Sequence, residues 1–298
     1  MNENIYFSVI FPTNNRAKDV EETLLQLQKS TFKNFEVIII DNNSTDNTHE
    51  ISKKYNFVKY IKNNFNNYVV GARNQGAKEA RGKIILHIDD DSFPSINAME
   101  RAYEVFENDK DIGIISCGIK NYEIFKNELL NSKIIDEKIK YKETLTWSGC
   151  GGFVRKSLYE KYGPCDERGI HGFYELLICM WALKDNKKIM NYENIYVYHK
   201  VASGGIGGEV RGNDKMRNDE VYANSFFILK YYSHIKMVKK MAEIFYVISC
   251  ATIEQRTTVY IKSYIRLLIN LKKILRGRNE YPSDITNRIR ISFNFIGK

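Results

Sequence analysis

The sequence has few of the features that mark secreted, membrane-spanning or metal-thiolate proteins. Its five cysteines are scattered without paired ligand spacing, which argues for a reducing compartment and against a disulfide framework or a zinc site. The longest apolar runs, such as 244–253, are far shorter than the roughly 20 residues of a membrane span. Residues 1–4 are polar and lack the basic-then-apolar layout of a secretory signal. We therefore expect a cytoplasmic protein.

The two standard phosphate-binding glycine motifs are also missing. Neither Gly-x-Gly-x-x-Gly after the first apolar run nor Gly-x-x-x-x-Gly-Lys-Ser/Thr occurs. If a nucleotide binds, a metal ion and basic side chains must hold its phosphates instead. The net charge of +9 admits nucleic acid, an anionic membrane surface or a phosphorylated substrate as partner, and charge alone does not choose among them.

The most informative stretch that is present is an apolar run that ends in three carboxylates, at residues 83–91. Asp89, Asp90 and Asp91 follow a segment of strand length, and adjacent ionised carboxylates repel one another unless a counter-charge is present. A solvated acidic turn is one interpretation. The other is a site for Mg²⁺ or Mn²⁺, because hard oxygen ligands suit these cations.

The surrounding pattern favours the second interpretation. Apolar strands at 6–11 and 35–40 alternate with helical segments, and this alternation predicts a parallel α/β sheet covered on both faces. Ligands bind such sheets at the carboxyl ends of the strands. Asp41 follows the second strand as the three aspartates follow a later one, so we expect Asp41 and Asp89–Asp91 to face one pocket.

Four later features each allow a structural and a functional interpretation. Gly151 and Gly152 lie in a strand-like run, where glycine permits a tight bend or the close approach of a ligand. Glu175 stands near the start of an apolar helix, where it complements the helix dipole or, beside an acidic crevice, serves as a base. His199 ends another strand as a structural residue or a ligand. The glycine-rich loop 203–208 is a candidate lid hinge.

From about residue 214 onward the pattern is helical, aromatic and basic. This part is either a helical subdomain packed on the body or an interfacial membrane segment. Lysines alternate with apolar residues that recur at spacings of three or four, and these are Phe226, Phe227, Tyr231, Ile235, Val238, Met241, Phe245 and Ile248.

Taken together, these segments resemble the family 2 glycosyltransferases with the GT-A fold. The resemblance is ordered and covers roughly residues 6–200; each motif is weak alone, and their order and spacing carry it. The matching segments are SVIFPTNNR (8–16), EVIIIDNNSTDNT (36–48), GARNQGA (71–77), the strand ending in Asp89–Asp91, GGFVR (151–155) and Asp166-Glu167.

The resemblance implies a Rossmann-like α/β fold with a mixed, mainly parallel sheet flanked by helices. It implies a catalytic domain at 1–213, with a nucleotide-binding half at about 1–117 and an acceptor half at about 118–213. A helical C-terminal extension then covers 214–298.

The resemblance also implies residue roles. Asp91, Asp89 and His199 match metal ligands for Mn²⁺ or Mg²⁺, Glu175 matches the general base, and Asp41 matches the residue that reads the base, typically uracil. The implied donor-binding residues are Pro12, Thr13, Asn14, Arg16, Asp41, Asn43, Arg73, Asp89, Asp90, Gly151 and Gly152.

The implied activity is inverting, metal-dependent transfer of a sugar from a nucleotide-sugar, a UDP-sugar, to an acceptor hydroxyl in bacterial surface glycan or glycoconjugate synthesis. The acceptor is a glycan, a lipid-linked sugar or a protein. Leu177 and Trp181 replace polar residues common in the family, which indicates a hydrophobic or lipid-linked acceptor. Asn14 replaces the aromatic that usually stacks on the base. Contact with the inner face of the plasma membrane through the basic C-terminal helices, and a homodimer, are both compatible with the sequence.

Three other functions stay open. A nucleotidyltransferase normally carries a glycine-rich, basic loop after its first strand, and residues 12–16 do not form one. A nucleic-acid-binding protein would use the C-terminal helices, but their basic residues are interleaved with core-spaced apolar ones and no such motif is present, so we expect no nucleic-acid partner. A catalytically degenerate relative acting as an interaction module is the third, because the family's Glu-Asp pair is Tyr174-Glu175 here.

Overall fold

The computed structural model describes residues 5–130, 140–167, 173–200, 214–254, 260–276 and 278–289, and the predicted lid loop 203–208 lies outside them. The strands are β1 Phe7–Thr13, β2 Phe35–Asp41, β3 Val58–Lys62, β4 Ile84–Ile88, β5 Ser92–Pro94, β6 Ile112–Asn121, β7 Tyr141–Glu143, β8 Gly151–Arg155 and β9 Lys188–His199. The helices are α1 Ala17–Gln28, α2 Thr48–Ser52, α3 Tyr68–Glu79, α4 Ala98–Asn108, α5 Tyr122–Leu130, α6 Lys156–Tyr162, α7 Phe173–Lys184, α8 Asp214–Tyr231, α9 His234–Glu254, α10 Ile261–Arg276 and α11 Ser283–Arg288.

The strands of the described residues form one mixed sheet in the order β3-β2-β1-β4-β8-β6-β9-β5, with β7 paired to β9. The four strands from β3 to β4 are parallel to one another. β8 then runs antiparallel to both β4 and β6, and β9 is parallel to β6. The predicted α/β fold with a mixed, mainly parallel sheet is confirmed.

Helices cover both faces of the parallel half, as its continuous apolar strands require. On one face, Val9 and Phe11 of β1 share a buried cluster with Leu24 of α1 and Phe106 of α4. On the other face, β1 presents Ile10 to α3, where a Cβ added to Gly76 would lie 2.4 Å from Ile10 Cγ2. Glycine at position 76 therefore lets α3 lie directly against the sheet.

β1 extends two residues further than the sequence predicts, through Pro12 and Thr13. The ladder between β1 and β4 ends at Ile10 and His87, whereas pairing with β2 continues to Thr13 opposite Asp41. Proline is tolerated at such a position because only one neighbouring strand is paired there. The extension brings Thr13 level with Asp41 at the carboxyl edge of the sheet.

The described chain divides into two compact units. The first comprises residues 1–165 and 181–201 and contains the whole sheet; the second comprises 166–180 and 202–298. In the second unit, Tyr222, Phe226 and Leu229 of α8 pack on Leu267 and Ile274 of α10. Within the residues that the structure describes, no helix has both the length and the apolar character needed to cross a membrane. The domain boundary expected at residue 213 stays a prediction.

The N-terminus of α1 is capped from a segment that is distant in the sequence. Asp46 Oδ2 accepts the backbone N–H of Ala17 at 2.9 Å. Its other oxygen accepts the backbone N–H and the hydroxyl of Thr48. Burial acts to raise the pKa of Asp46, but the hydrogen bonds from Thr48 and Ala17 outweigh it, so the pKa lies below its ordinary value.

We expect Asp46→Ala to lower the free energy of unfolding by about 1 kcal/mol at neutral pH, as for other lost caps. A carboxyl whose pKa is lowered by folding stabilises the folded state when it is ionised, so the difference from wild type should shrink as the pH falls below the ordinary value of 3.8. Urea denaturation at several pH values measures both effects. A difference that is constant from neutral to strongly acid pH would contradict the ionised cap.

Candidate functional site

The three aspartates and His199 meet at the carboxyl end of β4. Asp89, Asp90 and Asp91 connect β4 to β5, and Ser92, the first residue of β5, lies opposite His199 in the antiparallel pair with β9. The backbone N–H of Lys200 donates to the Asp91 carbonyl at 3.1 Å, which ties the end of β9 to the same loop. Strand register therefore brings together residues that are about a hundred positions apart in the sequence.

Two carboxylates of this loop each bind an arginine with one oxygen and face His199 with the other. Asp91 Oδ2 accepts Arg16 Nη2 at 2.7 Å, and its Oδ1 lies 3.2 Å from His199 Nε2. Asp89 Oδ1 accepts Arg73 Nη2 at 2.6 Å, and its Oδ2 lies 3.8 Å from the same imidazole nitrogen. Asp89 Oδ2 and Asp91 Oδ1 thus both approach His199 Nε2, and we call these three side chains the convergent triad.

Asp91 is held as a carboxylate. Burial acts to raise its pKa, but the hydrogen bond and charge of His199 and the charge of Arg16 outweigh that effect, so its pKa lies below the ordinary value. The side chain is nevertheless only 9% exposed. A buried, ionised carboxylate that faces an imidazole is a strong candidate to hold a cation.

Asp90 has different partners from its two neighbours. The Thr13 hydroxyl donates to Asp90 Oδ2 at 2.8 Å, and Arg16 Nε lies 3.2 Å from Oδ1. Burial raises the pKa of Asp90 to about 7. Thr13, Arg16 and Asp90, all predicted donor-site residues, therefore form one contact that joins the end of β1 to the loop after β4.

Arg73 reaches the loop from α3 through a fully buried guanidinium group. Its Nη2 donates to the carbonyls of Ile88 and Gly149, both at 3.0 Å, as well as to Asp89. Its Nη1 lies 3.2 Å from His87 Nδ1. Burial, and then the charge of Arg73, hold the pKa of His87 well below its usual range, so His87 is neutral and accommodates the arginine.

Cys150 is a site residue that the sequence interpretation missed. Single ligand atoms of Asp89, Cys150 and His199 all lie within 4.8 Å of one another. Burial, together with the charge of Asp89, raises the pKa of the Cys150 thiol to about 11, so it stays protonated at neutral pH. Cysteine spacing gives no sign of it, because Asp89 and His199 are brought close to Cys150 by the pairing of β4 with β8 and of β5 with β9.

Asp41 lies at the end of β2, which β1 separates from β4, and its carboxylate is already bound within the protein. Asp41 Oδ1 accepts the backbone N–H of Ser44 at 2.7 Å, and the hydroxyl of Tyr60 donates to Oδ2. Asn14 Nδ2 donates to the Asn42 carbonyl at 2.7 Å, while Asn43 is exposed with a positive φ of 69°. Pairing of Thr13 with Asp41 places this group beside the loop after β4.

An exposed aromatic residue also lies at this edge. Tyr68, the first residue of α3, is 72% exposed and has a φ of 53°, which is unusual for a bulky side chain. Asn42 Nδ2 donates to its carbonyl at 3.4 Å. The positive φ of Tyr68 is a property of the folded backbone, and the sequence offers no signal for it.

The two predicted glycines of β8 are explained by packing. A Cβ on Gly152 would lie 2.2 Å from Trp147 Cε3, and one on Gly151 would lie 2.8 Å from Ile119 Cδ1. Both residues are buried and pair with β4, opposite His87 and Ile88. Their proposed part in donor binding stays a prediction.

Glu175 lies in the first turn of α7, as expected, and is half-buried. It belongs to the second unit, whereas the convergent triad belongs to the first. Its assignment as the base stays a prediction.

Sequence comparison gives two informative curated relatives. The chain is 29% identical over 149 residues to a UDP-Glc:alpha-D-GlcNAc-diphosphoundecaprenol beta-1,3-glucosyltransferase of Escherichia coli, covering 48% of this chain and 56% of the relative. It is 27% identical over 190 residues to a GalNAc(5)-diNAcBac-PP-undecaprenol beta-1,3-glucosyltransferase of Campylobacter jejuni, covering 51% and 61%. The chain thus spans little more than half the length of these relatives.

Among solved structures, S. aureus TarS (residues 1–349) in complex with UDP-GlcNAc is similar to this chain, with a TM-score of 0.60 and 19% identity. The similarity covers 96% of this chain and 84% of the TarS chain. A mannosyltransferase from Pyrobaculum calidifontis in complex with GDP-Man and Mn²⁺ is also similar, with a TM-score of 0.57 and 17% identity. The similarity covers 74% of this chain and 61% of the mannosyltransferase chain. At such identities the similarity shows the fold.

The sequence profile described as Glycosyl transferase family 2 matches residues 8–163, which is more than half of the 298 residues. The matched region contains β1, β2, β4 and β8 with the three aspartates between them. The chain therefore belongs to glycosyl transferase family 2.

Proposed function

We propose that the protein is an inverting, metal-dependent glycosyltransferase that moves a sugar from a UDP-sugar to an acceptor hydroxyl in bacterial surface glycan or glycoconjugate synthesis. The observation that carries the proposal is the convergent triad of Asp89 Oδ2, Asp91 Oδ1 and His199 Nε2. Family membership supports the reaction class. The UDP-Glc in the name of the Escherichia coli relative supports the donor.

The ligand types of the convergent triad fit a divalent cation, and two of its members, Asp89 and His199, have ligand atoms within 4.8 Å of each other. Two carboxylate oxygens and one imidazole nitrogen are ligand types that Mn²⁺ accepts, and the imidazole makes Mn²⁺ a better candidate than Mg²⁺. Asp89, Asp91 and His199 would hold the ion, and when bound it supplies positive charge that offsets the charge developing on the departing diphosphate. Mn²⁺ accompanies GDP-Man in the structure of the Pyrobaculum mannosyltransferase, which has a similar fold.

Arg16 and Arg73 orient the two metal-binding carboxylates. Each arginine binds one carboxylate oxygen, at 2.7 Å for Asp91 and 2.6 Å for Asp89, and so turns the other oxygen toward His199. Both guanidinium groups also offset the negative charge of the loop before any ligand binds. The loop is thereby pre-organised, which lowers the reorganisation that binding would need.

The strand ends beside the triad are proposed to bind the nucleoside. Ser44 and Tyr60 hold the buried Asp41 carboxylate in place, and an oxygen of Asp41 accepts an N–H of the base. The proposed donor-binding set, within a catalytic domain at 1–213, is completed by residues at the end of β1, after β2 and in β8. These are Pro12, Thr13, Asn14, Asn43, Gly151 and Gly152.

Glu175 is proposed as the general base. A carboxylate on the face opposite the leaving diphosphate takes the proton of the acceptor hydroxyl while the hydroxyl oxygen attacks the anomeric carbon. A single displacement of this kind inverts the anomeric configuration. The acidic residue in the first turn of α7 is the one that matches the family's base.

The proposed acceptor is a lipid-linked sugar, and the proposed location is cytoplasmic and peripheral at the inner face of the plasma membrane. The names of both curated relatives include an undecaprenol-linked diphosphate substrate. Leu177 and Trp181 on α7, from which the sequence suggested an apolar acceptor, are 5% and 1% exposed, so they pack inside the protein and give that acceptor no support. A homodimer stays a prediction.

Calorimetric titration of the full chain with UDP, TDP and GDP, each with and without Mn²⁺, tests the proposal. We expect micromolar binding of UDP that requires Mn²⁺, and weaker binding of the other two. If none of the three binds under either condition, the transferase proposal is wrong and a degenerate interaction module replaces it. Salt-dependent binding of RNA or DNA in the same series would favour a nucleic-acid partner.

A further inference from the structure

Helix α10 exposes an apolar stripe to solvent. Leu268 and Ile269 are 69% and 76% exposed, although they lie in the middle of the helix. Residues three and four positions apart share one face of a helix, so these exposed side chains form a stripe, which Lys272 interrupts before Leu275. Its members are Ile261, Ile265, Leu268, Ile269 and Leu275.

The same helix uses a different face to pack on its own unit. Leu267 and Ile274 are buried against Tyr222, Phe226 and Leu229 of α8. The exposed stripe is therefore additional to the core-facing one, and packing among the described residues of the second unit does not explain it.

Helix α9 continues this surface. Ile235, Val238 and Phe245 are 86%, 64% and 62% exposed, and the rings of Phe245 and Tyr264 lie 5.8 Å apart, so α9 and α10 are neighbours. Between the helices lies an apolar groove of about 330 Å³ with Val238 and Leu268 among its lining residues. We call the exposed apolar residues of the two helices and this groove the α9–α10 face.

The charge that accompanies the stripe has one sign. α10 contains Lys262, Arg266, Lys272, Lys273 and Arg276 and no acidic residue. On a helical wheel, Lys262, Arg266 and Lys273 flank the exposed apolar stripe along one side. Exposed apolar residues beside a row of basic ones are the pattern of a helix that lies in the interface of an anionic bilayer.

A second copy of the chain fits this face less well. Two-fold symmetry would place the same patch of each copy against the other, and the basic flanks would then repel. Anionic lipid headgroups neutralise those flanks while the acyl chains cover the apolar stripe. Charge complementarity therefore favours a lipid surface as the occupant.

We infer that the α9–α10 face binds the interface of an anionic lipid bilayer, with α10 lying along the surface and its apolar stripe inserted below the headgroups. Binding itself does not depend on the proposed function. Its purpose does rest on that function, since a bilayer is where a lipid-linked acceptor is found.

The test is flotation of the full chain with vesicles of phosphatidylglycerol and phosphatidylcholine, compared with phosphatidylcholine alone. We expect binding to the mixed vesicles and at least about tenfold weaker binding of the double variant Leu268→Glu, Ile269→Glu, which removes apolar surface and adds repulsion. The double variant Lys272→Glu, Lys273→Glu should weaken binding to the mixed vesicles but not binding to phosphatidylcholine vesicles. Ile124→Glu is the matched control, because Ile124 is 72% exposed but lies in the first unit.

Three results would overturn the inference. These are no binding by wild type, equal binding to both vesicle types, or a Leu268→Glu, Ile269→Glu variant that binds as well as Ile124→Glu. A wild-type dimer that this variant dissociates, in the absence of vesicle binding, would instead identify a second copy as the occupant. UDP titration of each variant separates the two proposals, because failed vesicle binding with intact UDP binding rejects this inference alone. Vesicle binding without UDP binding rejects the proposed function alone.

Discussion

The substitution Asp91→Asn is expected to abolish Mn²⁺-dependent UDP binding and to lower sugar transfer about a thousandfold. Asparagine keeps the size of the side chain and removes the charge that faces His199. A bound metal ion stabilises developing charge by several kcal/mol, and each 1.4 kcal/mol corresponds to a tenfold change in rate. Calorimetric titration of UDP with and without Mn²⁺ measures the first effect, and kcat/KM for transfer measures the second.

Asp185→Asn is the matched control for this prediction. Asp185 lies in the same unit and pairs with Lys161, so its replacement also removes one carboxylate that has a cationic partner. We expect UDP binding to be unchanged in that variant. If Asp91→Asn binds UDP with the Mn²⁺ dependence of wild type, Asp91 is not a metal ligand and the convergent triad has another purpose.

The parallel half of the fold is predictable from sequence because its signals are local. The run Phe35–Asp41 is buried at every position, as expected for a strand covered on both faces. The position of Asp41 and of Asp89–Asp91 after such runs then places their side chains at the carboxyl edge of the sheet. Only the rule for ligand binding at that edge is needed to expect a site there.

What the sequence could not provide is the pairing between distant segments. The antiparallel insertion of β8 between β4 and β6 brings Gly149 and Cys150 to the aspartate loop. No local sequence pattern predicts this insertion. The capping of α1 by Asp46 is of the same kind. Asp89, Asp90 and Asp91 are chemically identical. The sequence therefore does not show that Asp89 and Asp91 approach His199 whereas Asp90 binds Thr13.

The C-terminal helices show a different limit. Spacing of three or four residues predicts which side chains share a helical face, but not whether that face is covered. Phe226 and Ile248 are buried as a core interpretation requires, whereas Ile235 and Val238 are exposed. The choice between a packed subdomain and a lipid-facing surface therefore depends on exposure, which only the folded chain provides.

The substitution Arg73→Met is expected to lower the free energy of unfolding by about 3 kcal/mol in the absence of any ligand. Methionine has a similar reach but no donors, so the carbonyls of Ile88 and Gly149 each lose a hydrogen bond of 3.0 Å and Asp89 loses its ion pair. Leaving buried acceptors without this donor costs more than the hydrogen bonds contributed. Urea denaturation of the ligand-free protein measures the change.

Lys59→Met is the matched control, since it removes the cation of an ion pair with Glu79. Glu79, like Arg73, lies on α3. Both side chains of that pair are substantially exposed, at 45% and 37%, so we expect a loss below about 1 kcal/mol. Arg73→Lys then separates two roles of the guanidinium group. If Arg73 orients Asp89, the lysine variant should recover part of the stability and part of the Mn²⁺-dependent UDP binding together. If stability is unchanged in Arg73→Met while UDP binding is lost, the arginine contacts the diphosphate directly and the orienting role is wrong.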